Sequence, residues 1–222
     1  MQHYTDALST YRNCLNSKHS HVDIGVTLNN IGQIHRLKGN YAEAMKVYQE
    51  SFRIMKSILG LEHRNVAATP HNMATMFLCQ EEYDNATELF QNVLIVQRGA
   101  LGDDHLDVAI TLDSMGHVYE RRKKFDKAFK LYSKSLRVRK AALGKHHLFV
   151  AVSADRIANF LRESGHDSME ALRHFSEALE VYVANDFEES HPELVGVKLH
   201  IAALQKKSSD SKQAEHAAVA VA

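Results

Sequence analysis

The sequence predicts an all-α fold, a solenoid of stacked helical hairpins, and three observations carry that prediction. Histidines at positions 21, 63, 105 and 147 recur every 42 residues, and His191 follows two residues late. The text between these markers also repeats: HVDIGVTLNNIGQIHRLKGNYAEAMKVYQESF is echoed by HRNVAATPHNMATMFLCQEEYDNATELFQNVL and by HLDVAITLDSMGHVYERRKKFDKAFKLYSKSL. Repetition at about 20–50 residues marks units that stack because none can bury its apolar face alone. Finally, the chain has only two prolines and ten glycines, and most of the glycines fall between helical stretches, where a left-handed cap belongs. Such arrays present a long continuous surface, so binding rather than chemistry is the first functional expectation.

Each element follows from the apolar pattern. In residues 1–20, Tyr4, Ala7, Tyr11 and Leu15 take the places of Tyr41, Ala44, Tyr48 and Phe52, so this stretch reads as an N-terminal half-repeat or capping helix. Residues 21–62 form the first full repeat. Val26, Leu28, Ile31, Ile34 and Leu37 make one amphipathic stripe, Lys38-Gly39-Asn40 turns the chain, and Tyr41, Ala44, Met45, Tyr48, Phe52 and Met55 make the next. Residues 63–104 and 105–146 repeat that plan. Pro70 stands where these neighbours carry Leu28 and Leu112, which predicts a kink or a late helix start. Residues 147–190 form a divergent fourth repeat, lacking the spacer aromatic near Ser168 and the closing Leu-Gly near Asn185 and Asp186. A capping helix at 191–207 turns Leu194, Val197, Ile201 and Leu204 inward, and residues 208–222 read as a disordered tail.

Within each hairpin, small residues recur where the two helices must approach: Gly32, Ala74, Gly116 and Ala158 in the first helix, Ala44, Ala86, Ala128 and Ala171 in the second. Aromatics recur as fillers of the core at Tyr48, Phe90, Tyr132 and Phe175, and again at Tyr41, Tyr83 and Phe125.

Composition narrows the function. The 27 Lys and Arg balance 27 Asp and Glu, so no net field favours nucleic acid or an anionic membrane. No apolar run approaches the roughly 18 residues of a spanning helix, and the start shows no secretory pattern, so no membrane insertion and a cytoplasmic location are expected. Cys14 and Cys79 are not paired in a redox or metal spacing. Of the fifteen histidines, Lys18-His19-Ser20-His21 and His146-His147 invite a metal reading, but no cysteine or carboxylate stands at a zinc-like spacing from them. Phosphate loops, GxGxxG, HExxH and GxSxG motifs are all missing, so no catalytic residue, metal or cofactor is expected. The basic run from Arg121 to Lys124 reads as a solvated turn.

Leu28-Asn29-Asn30-Ile31-Gly32, Gly39-Asn40-Tyr41-Ala42-Glu43-Ala44 and Leu101-Gly102-Asp103-Asp104-His105-Leu106-Asp107-Val108-Ala109 resemble the 42-residue tetratricopeptide repeats of the kinesin light chain family, across about residues 20–206. The ordinary tetratricopeptide period is about 34 residues, so the longer spacing is the more specific feature. The family's heptad region, which binds the motor heavy chain, has no counterpart here. The resemblance implies a right-handed superhelix whose first helices line a concave groove for a partner protein or peptide, with a kinesin heavy chain or a cargo complex among the implied partners.

By register the groove positions are Asn29, Asn30, Gln33 and Arg36, then His71, Asn72 and Thr75. The third repeat supplies Asp113, Ser114, His117, Glu120 and Arg121, and the fourth Asp155, Arg156, Asn159 and Arg162. Asparagine both donates and accepts, so it can clamp a peptide backbone without dictating its side chains. The mixed charge predicts a ligand of balanced charge or weak selectivity. The leading reading is a non-catalytic interaction scaffold or adaptor; the alternative is a structural or self-assembling segment of a larger protein.

Overall fold

The computed structural model of the protein describes residues 18–61, 63–165 and 167–221. Most of the half-repeat expected at residues 1–20 therefore lies outside the described residues. Among those residues the elements are all helices: α1 (Lys18–Leu37), α2 (Tyr41–Leu59), α3 (Arg64–Cys79), α4 (Tyr83–Leu101), α5 (Leu106–Arg121), α6 (Phe125–Leu143), α7 (Leu148–Glu163), α8 (Ser168–Ala184) and α9 (Pro192–Val221). They fall into two units, the first ending at Lys124 and the second beginning at Phe125. In the first, α1 packs on α2, α3 packs on both α2 and α4, and α4 packs on α5; in the second, α7 packs on α6 and α8, and α8 on α9.

The 42-residue register of the sequence is the register of the core. Tyr48 and Phe90 in the first unit, and Tyr132 and Phe175 in the second, are among the largest fully buried side chains, and Ala44, Ala86, Ala128 and Ala171 have no exposed surface. Gly32 is small because the Tyr48 ring abuts it. A Cβ placed on Gly32 would sit 2.5 Å from the Tyr48 ring. Tyr48 also packs with Met76 of the next hairpin, with Met73 and Phe77 alongside. Three buried hydroxyl-bearing residues of this core are paired, as buried polar atoms usually are. Ser51 Oγ donates to the Gly25 carbonyl at 2.6 Å and meets Thr69 Oγ1 at 3.2 Å, and Thr111 Oγ1 donates to Gln97 Oε1 at 2.7 Å.

The histidine markers have a chemical role in starting helices. His63, His105 and His147 are the N-caps of α3, α5 and α7, and in each the imidazole Nδ1 accepts the backbone N–H two residues on, at 3.2, 3.1 and 3.1 Å. That bond satisfies one of the donors a helix start leaves without a partner. His21 instead falls inside α1, and His191 Nδ1 lies 2.7 Å from Glu193 Oε2. The turns keep the same period: positive φ occurs at Gly39, Glu81, Lys123 and Gly165 between paired helices, and at Gly60, Gly102, Gly144 and Asp186 between repeats.

The helix bounds bear on two expectations. Of the kink or late start expected at Pro70, the late start does not occur, because the His63 cap fixes the start of α3 at Arg64 and the helix runs on through Pro70. The proline costs one backbone donor there without ending the helix. Helix α9 continues to Val221, past residue 207, where the capping helix was expected to end before a disordered tail. The segment from Ser208 contains no glycine or proline, and five of its fifteen residues are alanine, the best helix former.

Candidate functional site

Helices α1 and α3 bring four of the predicted groove residues to one cavity in the first unit. Asn29 and Gln33 come from α1, and His71 and Asn72 from α3. The cavity has a volume of about 240 Å³ and is closed by Gln97 of α4 and Asp107 of α5, with Ala68 and Ile110 as its apolar wall. Asn72 Nδ2 donates to Asn29 Oδ1 at 3.0 Å, joining the first helices of successive repeats through their amides.

His71 is fixed from two sides. Its Nε2 lies 3.3 Å from Ser114 Oγ on α5, and its ring meets Phe90 edge-on at 5.1 Å between centroids. Burial depresses its pKa to about 4, outweighing the opposing pull of Asp107, so the imidazole is neutral near pH 7. Asp107 in turn has a carboxylate oxygen 3.7 Å from His105 Nδ1.

The other predicted residues are placed differently. Asn30, Arg36 and Thr75 do not line the cavity. Arg36 Nη1 reaches Cys79 Sγ at 3.8 Å, and the Thr75 hydroxyl donates to the His71 carbonyl at 3.0 Å within its own helix. Asp113 and Glu120 are half-buried and His117 is exposed, one stripe along α5 beyond the cavity. Arg121 Nη2 donates to Glu81 Oε1 at 2.7 Å.

In the second unit, Asp155, Asn159 and Arg162 form a separate polar stripe on α7. Asn159 donates to the Asp155 carbonyl at 3.1 Å and accepts from Arg162 Nη2 at 3.1 Å, so both ends of its amide are engaged within the helix. Burial raises the Asp155 carboxyl above its ordinary value, against the opposing fields of His200 and Arg162. Arg156 stacks over the Tyr132 ring at 4.7 Å and donates to its hydroxyl at 3.2 Å, so this guanidinium supports the core of the unit.

Sequence reasoning missed Gln97 and Asp107. A signal for the first existed, since Gln97 occupies the register of Met55, and a polar residue at a core position calls for a partner or a cavity. Asp107 gave none, because an acidic residue in the first turn of a helix is ordinary. Among the described residues no three His, Cys, Asp or Glu side chains gather as a metal site, and no helix is long and apolar enough to cross a membrane.

The tetratricopeptide repeat family model matches residues 23–81, 65–141 and 107–182. No curated protein matches the sequence. The fold is similar to the crystal structure of BtubC (BKLC) from P. vanneervenii, with a TM-score of 0.80 at 15% identity over 97% of this chain and 85% of that one. It is also similar to Podosopora anserina nearly identical TPR-like repeats assigned to a kinesin light chain, with a TM-score of 0.69 at 17% identity over 86% of this chain and 89% of that one. A single-substitution variant of the Podosopora protein gives a TM-score of 0.70 at 17% identity, over 88% of this chain and 92% of that one. These likenesses concern the all-α repeat solenoid fold, which the histidine-capped helices and aromatic spacers build here. With three overlapping matches running from residue 23 to residue 182, the chain belongs to the tetratricopeptide repeat family.

Proposed function

We propose that this protein is a non-catalytic adaptor that holds an extended segment of a partner protein against its first-helix face, with the α1–α3–α5 face of the first unit as the working surface. Tetratricopeptide repeats generally mediate protein–protein interaction, which gives the class of function. The observation that carries the finer reading is the Asn29–Asn72 amide pair at the cavity. Each amide spends one end on the other and keeps the opposite end, a donor from Asn29 and an acceptor from Asn72, the pair of groups that an extended peptide backbone matches. The contribution of Asn159 is smaller in this reading, since a ligand would have to displace bonds already made.

The likeness to the kinesin light chain repeats supports a cytoplasmic role in a motor or cargo complex, and the even charge supports a ligand of balanced charge without a nucleic-acid partner. Selection of random displayed peptides on the full chain tests the proposal. It requires peptides whose affinity falls about tenfold or more in the Asn29→Ala, Asn72→Ala double variant. Recovery of no peptide, or of peptides bound equally by the folded variant, contradicts it.

A further inference from the structure

The second unit has a cavity where its repeat pattern loses an aromatic. Helices α2, α4 and α6 each open on a half-buried ring, Tyr41, Tyr83 and Phe125. Such a ring packs on the first helix of the next hairpin. Tyr41 joins Met76 of α3 in one cluster with Tyr48, and the Phe125 ring lies 6.1 Å from that of Phe160 on α7. Matching Ala171 and Phe175 of α8 to Ala128 and Tyr132 of α6 puts Ser168 in the place of Phe125. Matching His191 to His147 puts Leu204 of α9 in the place of Phe160. Two rings are thus replaced by two smaller side chains, and Ser168 and Leu204 line a cavity of about 480 Å³.

The walls suit a ring. Met169 and Leu172 of α8 face Leu204 across the space, and Met169 is 65% exposed, so covering it removes a large apolar side chain from water. Its flexible thioether adapts to a flat partner and gains a sulfur–ring contact. Ser168, Gln205 and Lys207 also line the cavity but are exposed, so they can keep their water when a ring enters between the apolar walls. The volume falls in the roughly 300–1,000 Å³ range of pockets that enclose a ligand, so a ring can enter with the backbone that carries it. An aromatic side chain also brings much contact area for only two torsions frozen. We propose that this cavity receives an aromatic side chain of a partner protein, which supplies the ring that Ser168 does not.

The test is methyl NMR of the full chain, read at Leu172 and Leu204, during titration with N-acetyl-phenylalanine amide, a ring carried between two peptide groups. N-acetyl-leucine amide is the aliphatic comparison. Both leucines should shift saturably with the phenylalanine probe, and the leucine probe should bind at least about twofold more weakly, since it lacks the sulfur–ring contact. Ser168→Phe supplies the ring from within, so it should raise the melting temperature and abolish those shifts. Met169→Gln removes the sulfur from an exposed position and should bring the two probes to near parity, with circular dichroism showing it folded. No saturable shift on the wild-type chain, or equal binding of the two probes there, overturns the pocket. So does undiminished phenylalanine binding by a folded Ser168→Phe, or an unchanged phenylalanine preference in Met169→Gln. The pocket belongs to the second unit, so none of these outcomes bears on Asn29 and Asn72.

Discussion

Tyr48 fills the space that Gly32 leaves open: a Cβ on Gly32 would lie 2.5 Å from Tyr48 Cε1 and 2.6 Å from Cδ1. Tyr48 has no exposed surface, so its ring has no empty volume to move into. Gly32→Ala should therefore destabilise the first unit by about 1–3 kcal/mol, although alanine is the better helix former. Gly25→Ala is the control, because its Cβ would meet the flexible Met55 thioether instead, with Cγ at 2.5 Å. Thermal unfolding should separate the two, and equal melting temperatures would show that the Tyr48 contact is soft.

A second prediction concerns the turns. Lys123 holds φ at 57° in a series whose first and last members, Gly39 and Gly165, are glycines. A side chain in left-handed geometry costs about 1–2 kcal/mol, part of which glycine returns to the flexibility of the unfolded chain. Lys123→Gly should raise stability by about 0.5–1 kcal/mol in urea unfolding, and Lys124→Gly should not.

The histidine caps can be exchanged by chemistry. His147→Ala should cost about 0.5–2 kcal/mol by leaving the Phe149 N–H without its acceptor. His147→Asn should recover most of it, since asparagine also carries an acceptor suited to this position. This protein already uses a short side chain that way at α8, where Asp167 Oδ1 accepts from the Met169 N–H at 2.8 Å. A variant pair with the same melting temperature would refute the capping role.

Acid should weaken the two units in separate windows. The folded pKa of His71 is about 4, below the ordinary 6.5, so the unfolded chain binds the extra proton first. Its contribution is full above about pH 6.5 and is lost as pH falls toward 4, by roughly 3 kcal/mol at most. Glu177 in the second unit is held down to about 2 by the His174 ring, whose Nδ1 lies 3.7 Å from its carboxylate, and by its pairing with Lys140. Its contribution is present above the ordinary 4.5 and disappears only as pH falls toward 2. Urea unfolding of wild type and His71→Gln between pH 7 and 4 should converge as the pH drops; parallel curves would contradict the assignment.

Much of this structure could be read from residue spacing, because the core repeats with the sequence. The aromatics at Tyr48, Phe90, Tyr132 and Phe175, and the alanines opposite them, are buried at the positions their register predicts. The histidine period was visible while its chemistry was not, since histidine is absent from the usual N-cap preferences and only the Nδ1 geometry reveals the bond. The late start considered at Pro70 does not occur because proline's local penalty says nothing of the cap that fixes the helix start before it. The candidate site was half legible. Asn29 and Asn72 lie 43 residues apart on adjacent first helices, so their meeting follows from register. Gln97 and Asp107 reach the same cavity from other helices, and the internal commitment of Asn159 depends on the Arg162 rotamer, which no spacing encodes.

The most direct measurement is side-chain amide NMR of the full chain during titration with a display-selected peptide. The account predicts that the NH2 resonances of Asn29 and Asn72 shift together and saturably, while that of Asn85, bonded to Glu82 at a turn, stays in place. Saturable binding that leaves Asn29 and Asn72 unmoved would contradict the first-helix face as the working surface.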